Sequence, residues 1–201
     1  MKRMRLLGVL LFIAILAACT PQEQYIISNV NADRYALTKS WEELPRVSDL
    51  IAVVTPKAQE NVLIYHDDGQ VAFGYTKTEG NVQQVLQGTL GEGETVYITE
   101  ECYTTEKGSI LHTQGGYLPM NMGESYLLFL KAYPADDPDY AGMYYPVDLE
   151  YGKYALSAAD YSGQLTSHAG IAVYQVGING DFQEYYKWYR YVYEHYPSAF
   201  A

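Results

Sequence analysis

Val62-Leu63-Ile64-Tyr65-His66-Asp67-Asp68-Gly69-Gln70-Val71-Ala72-Phe73-Gly74-Tyr75-Thr76 reads as a β-hairpin. Two β-rich runs, Val62–His66 and Val71–Thr76, flank Asp67-Asp68-Gly69-Gln70. An Asp-Gly pair accepts the positive φ that tight hairpin turns demand. The strand rhythm continues outward on both sides. Upstream lies Asp49–Thr55 (DLIAVVT). Downstream come Asn81–Leu86, turning at Gly88, then Thr95–Thr99, Ile110–Thr113, Ser125–Ala132, Tyr144–Val147, Lys153–Ser157 and Ile171–Val176. Ser125–Ala132 (SYLLFLKA) is apolar enough to be a central strand. Many short strands with Gly-rich turns predict a mainly β sandwich or barrel.

Helical signals bracket the strands. Ser40-Trp41-Glu42-Glu43 has the form of a capping box, in which the Ser40 hydroxyl and the Glu43 carboxylate satisfy orphan amides; Pro45 is expected to stop that helix. Asp181 is placed to cap Phe182–Tyr196, and Pro197 marks its end. Phe182, Tyr185, Tyr186, Tyr189, Tyr193 and Tyr196 recur at three- and four-residue steps and predict one stripe, with Trp188, Tyr191 and His195 on other faces. Either the stripe docks on the barrel with its hydroxyls reaching solvent, or the surplus rings Trp188 and Tyr191, with His195, form a platform for a partner or glycan.

The N-terminus reads as an address. Lys2, Arg3 and Arg5 form a positive n-region, and Leu6–Leu16 is an uncharged run of eleven residues. That length fits a signal-peptide h-region and falls short of the ~20 residues of a membrane-spanning helix. Leu16-Ala17-Ala18-Cys19 then resembles a bacterial lipobox. It implies that Leu16, Ala17 and Ala18 are read by a signal peptidase, that residues 1–18 are removed and that the Cys19 sulfur carries a diacylglycerol. An ordinary secretory signal or an uncleaved anchor is the plainer alternative. Two acyl chains give a durable anchor where one would be marginal. Residues 19–39 follow as the lipidated cysteine and its tether.

Charge narrows the partners. The 201 residues carry 13 Lys+Arg and 24 Asp+Glu, a net of −11, and loss of Lys2, Arg3 and Arg5 with the leader takes it to −14. Such a surface does not supply the basic face that a nucleic-acid backbone requires, and anionic headgroups repel it, so the anchor must hold it at a membrane. Hydrophobic residues at 48% against 18% charged exclude global disorder. Two cysteines exclude a disulfide-stapled miniprotein, and with Cys19 lipidated Cys102 reads as a small buried hydrophobe. Tyrosine supplies 22 of the 29 aromatics.

Chemical motifs are scarce. His66, His112, His168 and His195 form no His-x-His or His-x-x-x-His pair, and no Cys-x-x-Cys exists. Gly123-Glu124-Ser125-Tyr126-Leu127 lacks the second glycine of a nucleophile elbow, and no phosphate-cradling loop occurs. Asp136-Asp137-Pro138-Asp139 and Glu100-Glu101 lack the ligand alternation of a calcium loop and read as solvated acids. No catalytic residue, metal ligand or cofactor is assigned.

Four phrases in order carry a resemblance: Ser48-Asp49-Leu50-Ile51-Ala52-Val53-Val54, Asn81-Val82-Gln83-Gln84-Val85-Leu86-Gln87-Gly88, Glu94-Thr95-Val96-Tyr97-Ile98 and Met122-Gly123-Glu124-Ser125-Tyr126-Leu127-Leu128-Phe129-Leu130. They resemble a group of uncharacterised lipoproteins and secreted proteins of Gram-positive bacteria, and their order is similar to that of TIMP-like, or netrin-module, OB-fold domains. Val53 and Val54 stand where the pattern has glycine, and Gln87 stands where it has lysine. Metalloprotease inhibition does not carry over, because the resemblance places an acylated Cys19 where such inhibitors offer a free amine.

The resemblance, which covers roughly Ser40 to Ser157, and the residue patterns together predict a mainly β fold: a small OB-like barrel, closed or partly open, spanning residues 40–180, with a short N-terminal helix and residues 181–201 as an aromatic C-terminal helix. The function expected is that of a non-enzymatic, lipid-anchored extracytoplasmic module whose partner is a cell-wall polysaccharide or a protein. A protease-inhibitor-like or envelope-stress protein is the first alternative, and a hydrolase with an unrecognised site the second.

Overall fold

The computed structural model describes residues 26–30, 37–105, 110–115, 117–158 and 182–201. Its strands are β1 (Ile26–Val30), β2 (Leu50–Tyr65), β3 (Val71–Gln87), β4 (Thr95–Glu100), β5 (Cys102–Thr104), β6 (Ile110–Gln114), β7 (Tyr126–Ala132), β8 (Tyr144–Pro146) and β9 (Lys153–Ala155). A 3₁₀ turn (Trp41–Glu43) runs into α1 (Leu44–Val47), and α2 (Phe182–His195) lies near the C-terminus. The leader, Cys19, Asp181, His168 and the expected strand at Ile171–Val176 lie outside the described residues.

The chain is mainly β, with a six-stranded sheet ordered β2-β3-β4-β8-β7-β9. β7 also pairs with β2, so five strands form a partly closed ring and β9 is left on its flank. The ring is antiparallel except between β4 and β8, which pair in parallel at Ile98↔Tyr144. A smaller sheet, β1-β6-β5, stands beside it.

The ring strands are longer than the sequence suggests. Asp49–Thr55 and Val62–His66 fuse into β2, and Val71–Thr76 and Asn81–Leu86 fuse into β3. The polar stretch between the runs conceals this continuity, and the bulges of β2 and β3 absorb it. Register shifts fall at Ile51/Ala52, Val53/Val54, Pro56/Ala58 and Ile64/Tyr65, which lets the pair bend and twist. Pro56 is tolerated because it lies at a bulge, beyond Val54 where β7 pairing ends. Opposite it stands Gly80, where an added Cβ would come within 2.3 Å of Val54 Cγ1. The hairpin turn forms as read: Gly69 has φ +81°, its amide donates to His66 O at 2.9 Å, and the Gln70 amide donates to Asp68 Oδ1 at 3.0 Å.

Alternation along β2 and β7 divides the core. Leu50, Ala52, Val54, Tyr126, Leu128 and Leu130 join Val82, Val96 and Ile98 in one cluster. Ile51, Val53, Leu127 and Phe129 point the other way, into a second cluster with Tyr185, Trp188, Tyr189 and Val192 of α2. Both faces of β7 are thus buried, which explains its continuous apolar run.

Four helix readings change. The buried face of α2 is Tyr185, Trp188, Tyr189 and Val192, while Tyr193 is exposed. In a segment this rich in aromatics several faces look alike, and packing selects one. The hydroxyls of the buried tyrosines do not reach solvent. Tyr185 donates to Lys153 O at 2.8 Å and Tyr189 to Ala155 O at 3.2 Å, so they serve carbonyls of β9, the flanking strand of the sheet. At the other end, Ser40 makes no capping bond, although Glu43 Oε2 accepts from the Lys39 amide at 2.8 Å. Pro45 lies in the first turn of α1, where its missing N–H has no helical partner to lose.

Candidate functional site

The residues singled out at the C-terminus do not form an exposed platform. Trp188 is 6% exposed, its indole 6.4 Å from the ring of Trp41 and 4.8 Å from that of Tyr151. Its Nε1 donates to Glu184 Oε1 at 3.1 Å. This corrects the reading of Trp188 as a surplus ring, because it belongs to the core stripe. Tyr191 is half-buried, 5.9 Å from Trp41, and stacks on exposed His195 at 3.9 Å. The lipobox residues Leu16, Ala17, Ala18 and Cys19 lie outside the described residues.

A buried polar node sits where β4 ends. Glu100 is 0% exposed, contrary to its reading as a solvated acid. Its Oε1 accepts from the Thr78 hydroxyl and from Gln59 Nε2 at 3.2 Å. Its Oε2 accepts from the Tyr117 hydroxyl at 2.9 Å and the Met120 amide at 2.8 Å. Four donors thus replace water around the carboxylate. Lys153 of β9, also buried, donates to Leu118 O and holds Nζ 3.9 Å from the centroid of Tyr117. Burial lowers the Lys153 pKa, while the negative charge of Glu100 and Glu150 opposes that shift. Burial raises the Cys102 thiol pKa, leaving it the inert, hydrophobic thiol expected. The node fastens the Tyr117–Met120 segment to the ring; its carboxylate and ammonium are closed to solvent.

The exposed chemistry lies elsewhere, on a strip of aromatic rings. Phe73 and Tyr75 are two apart on β3 and so share a face. Their centroids are 6.2 Å apart, and Tyr75 lies 5.4 Å from Tyr140. Tyr140 stacks on Tyr133 at 4.8 Å, and Tyr133 meets Tyr145 of β8 at 4.8 Å. Phe73 is 41% exposed at one end, Tyr75 is buried beneath its neighbours at 7%, and Tyr133, Tyr140 and Tyr145 are half-buried. Beside them Tyr97 of β4, 40% exposed, carries Lys77 Nζ at 4.9 Å from its centroid.

Backbone chemistry sets the strip's spacing. The loop from β7 to β8 folds back on itself: the Tyr133 amide donates to Met143 O at 3.0 Å, and the Met143 amide donates to Tyr140 O at 2.9 Å. Asp137 Oδ1 accepts the amides of Asp139 and Tyr140, both at 2.9 Å, which presents Tyr140 to Tyr133 and Tyr75. Tyr133 is further fixed by its hydroxyl, 2.8 Å from Thr99 Oγ1.

Burial raises the pKa of all four tyrosines of the strip, Tyr133 to about 12, so their hydroxyls are neutral at physiological pH. Carboxylates surround them. Asp139 and Glu60 act on Tyr75, and Asp139, Asp137 and Glu101 act on Tyr140.

The sequence gives a partial signal for this strip in the period-two pair Phe73 and Tyr75 and in the tyrosines bracketing Asp136–Asp139. What it hides is that the loop returns its rings to β3. The acidic loop is solvated as read, with Asp136 and Asp139 exposed, and Asp137 also accepts the Asp139 and Tyr140 amides and so shapes an aromatic surface. Among the described residues no group of three or more His, Cys, Asp or Glu side chains is placed to hold a metal ion, and no helix is long and apolar enough to cross a membrane.

The class these features define is a mainly β domain with a partly closed five-stranded ring, one helix on its flank and an aromatic strip along one side. No protein-family model matches the chain, and no curated protein matches it in sequence.

Proposed function

We propose that the chain is a lipid-anchored extracytoplasmic protein that acts by binding, with the aromatic strip as its binding face and a cell-envelope glycan as its ligand. The observation that carries this reading is the run Phe73–Tyr75–Tyr140–Tyr133–Tyr145, with neighbouring centroids 4.8 to 6.2 Å apart. Exposed Phe73 and half-buried Tyr140, Tyr133 and Tyr145, linked through the buried ring of Tyr75, offer apolar surface at low conformational cost, with hydroxyls at their edges for hydrogen bonds.

The order of the ring strands supports the OB-like reading. Counted along the chain, β2, β3, β4, β7 and β8 are the first to fifth strands, and they close in the order first, second, third, fifth, fourth. OB folds bind oligonucleotides and oligosaccharides on their second and third strands and on the loops joining first to second and fourth to fifth. Here those places carry Phe73, Tyr75, Tyr97, Tyr133 and Tyr140. The net charge of −11 disfavours the oligonucleotide and leaves the oligosaccharide. The leader and Leu16-Ala17-Ala18-Cys19 support attachment through a diacylglycerol.

A second reading, a protease-inhibitor-like protein, is favoured by the hairpin beyond the ring, where Ile64, Tyr65 and Phe73 are exposed. Capture experiments with the mature protein separate the two. Retention on purified cell-wall polysaccharide that Tyr140→Ala abolishes supports the glycan reading. Retention of a secreted protease that Ile64→Ser abolishes, with none on polysaccharide, overturns it.

A further inference from the structure

Resting on that reading, we infer that the glycan carries free amino groups: the strip is built for a polysaccharide of protonated amino sugars rather than a neutral one. The argument is charge complementarity on an aromatic face. Tyr140 is flanked in the loop by Asp137 and Asp139, and Asp137 Oδ1 accepts its amide at 2.9 Å. Glu60 of β2 stands opposite Lys77, two residues along β3 from Tyr75, and Glu101 follows the end of β4; these carboxylates act on Tyr75 and Tyr140. Among the described residues no Lys or Arg is ion-paired with any of these four.

Among the described residues the cations near the strip are already engaged. Lys131 pairs with Asp49 at 3.1 Å beside the Tyr145 end, and Lys77 lies over Tyr97. The Lys77 contact is itself instructive, because the chain places an ammonium on a ring of this same side. A neutral tyrosine face with carboxylates at its margin attracts a cation twice, through the ring quadrupole and through Coulomb attraction. A sugar ring bearing an ammonium uses both: its C–H face packs on the outer side of the stacked Tyr133–Tyr140 pair while the ammonium is held by Asp139 and Glu60. A neutral sugar gains only the stacking and desolvates the carboxylates without compensation.

The test uses the mature protein and three probes of matched length: a chitosan hexasaccharide with free amines, its fully N-acetylated counterpart, and hexalysine. The chitosan oligomer is expected to bind about tenfold or more tighter than either other probe. Its advantage should collapse near 1 M salt, where the screening length falls to about 3 Å. The variant Glu60→Gln/Asp139→Asn should remove most of the preference, bringing chitosan binding down toward that of the N-acetylated oligomer. Equal binding of the N-acetylated oligomer, lost in Tyr140→Ala, overturns the amine inference and leaves the glycan reading standing. Equal or tighter binding of hexalysine overturns the inference, because charge alone then suffices. No binding of any probe overturns both.

Discussion

Tyr133 and Tyr140 stack at 4.8 Å with their planes 22° apart, although they bracket a loop containing three aspartates. Their pairing turns an acidic excursion between two ring strands into a continuous aromatic surface. Removing either ring should break that surface with limited cost to the fold.

Tyr140→Ala is therefore expected to weaken glycan binding by about tenfold or more while costing roughly 0.5–1.5 kcal/mol of stability, the order of one aromatic contact. Isothermal titration together with urea denaturation checks both parts. A large stability loss with intact binding would place Tyr140 in the scaffold alone.

Glu100 should behave in the opposite way. Glu100→Ala removes an acceptor from four donors and takes a negative charge from the surroundings of buried Lys153, so a loss of about 3–5 kcal/mol is expected. Urea denaturation measures it. A loss below about 1 kcal/mol would show that the node is open to water.

Gly80 has no room for a methyl group, since its Cβ would meet Val54 Cγ1 at 2.3 Å. Gly80→Ala is expected to cost about 1–3 kcal/mol through overpacking, seen as a lower midpoint in denaturant. An unchanged midpoint would mean that β2 and β3 can separate at Pro56 without penalty.

Alkaline pH should unfold the protein steeply. Burial raises the pKa of Tyr117, Tyr154 and Tyr185 well above the usual 10. In the unfolded chain these groups ionise near pH 10, whereas in the fold they keep their protons. Their contribution is thus complete below about pH 10 and is lost as pH rises toward the folded values. Lys153, lowered by burial, contributes with the opposite slope over the alkaline range below its ordinary value, and three tyrosines outweigh it. Melting temperatures followed through alkaline pH, with tyrosinate absorbance as a second probe, should fall together. Tyrosinate formation ahead of unfolding would contradict the burial.

Deleting residues 181–201 strips the cover from Ile51, Val53, Leu127, Phe129 and Tyr154 and frees the Lys153 and Ala155 carbonyls. A melting temperature lowered by several degrees, with a rise in hydrophobic-dye binding, is expected. Unchanged melting would make α2 an appendage.

The strands were legible where their chemistry is local. The Asp-Gly turn and the apolar run at Tyr126–Leu130 announce themselves through residue type alone. Continuity was not legible, because Pro56–Asn61 and Lys77–Gly80 look like linkers until bulges and cross-strand pairing carry the strands through them. The buried face of α2 was hidden by its own excess of aromatics, which made Tyr193 and Trp188 interchangeable on paper. Glu100 was unreadable for a different reason. Its burial depends on donors at positions 59, 78, 117 and 120, and no short window contains them. The same holds for the strip, which is assembled from β3, β8 and a loop.

The most direct measurement is an NMR titration of the mature protein carrying ring-labelled tyrosine, with cell-wall polysaccharide fragments as ligand. The account predicts that perturbations concentrate on Tyr75, Tyr133, Tyr140 and Tyr145 and leave Tyr185, Tyr191 and Tyr193 unmoved. Shifts centred on α2 or on Tyr65 at the hairpin end, with the strip silent, would contradict it.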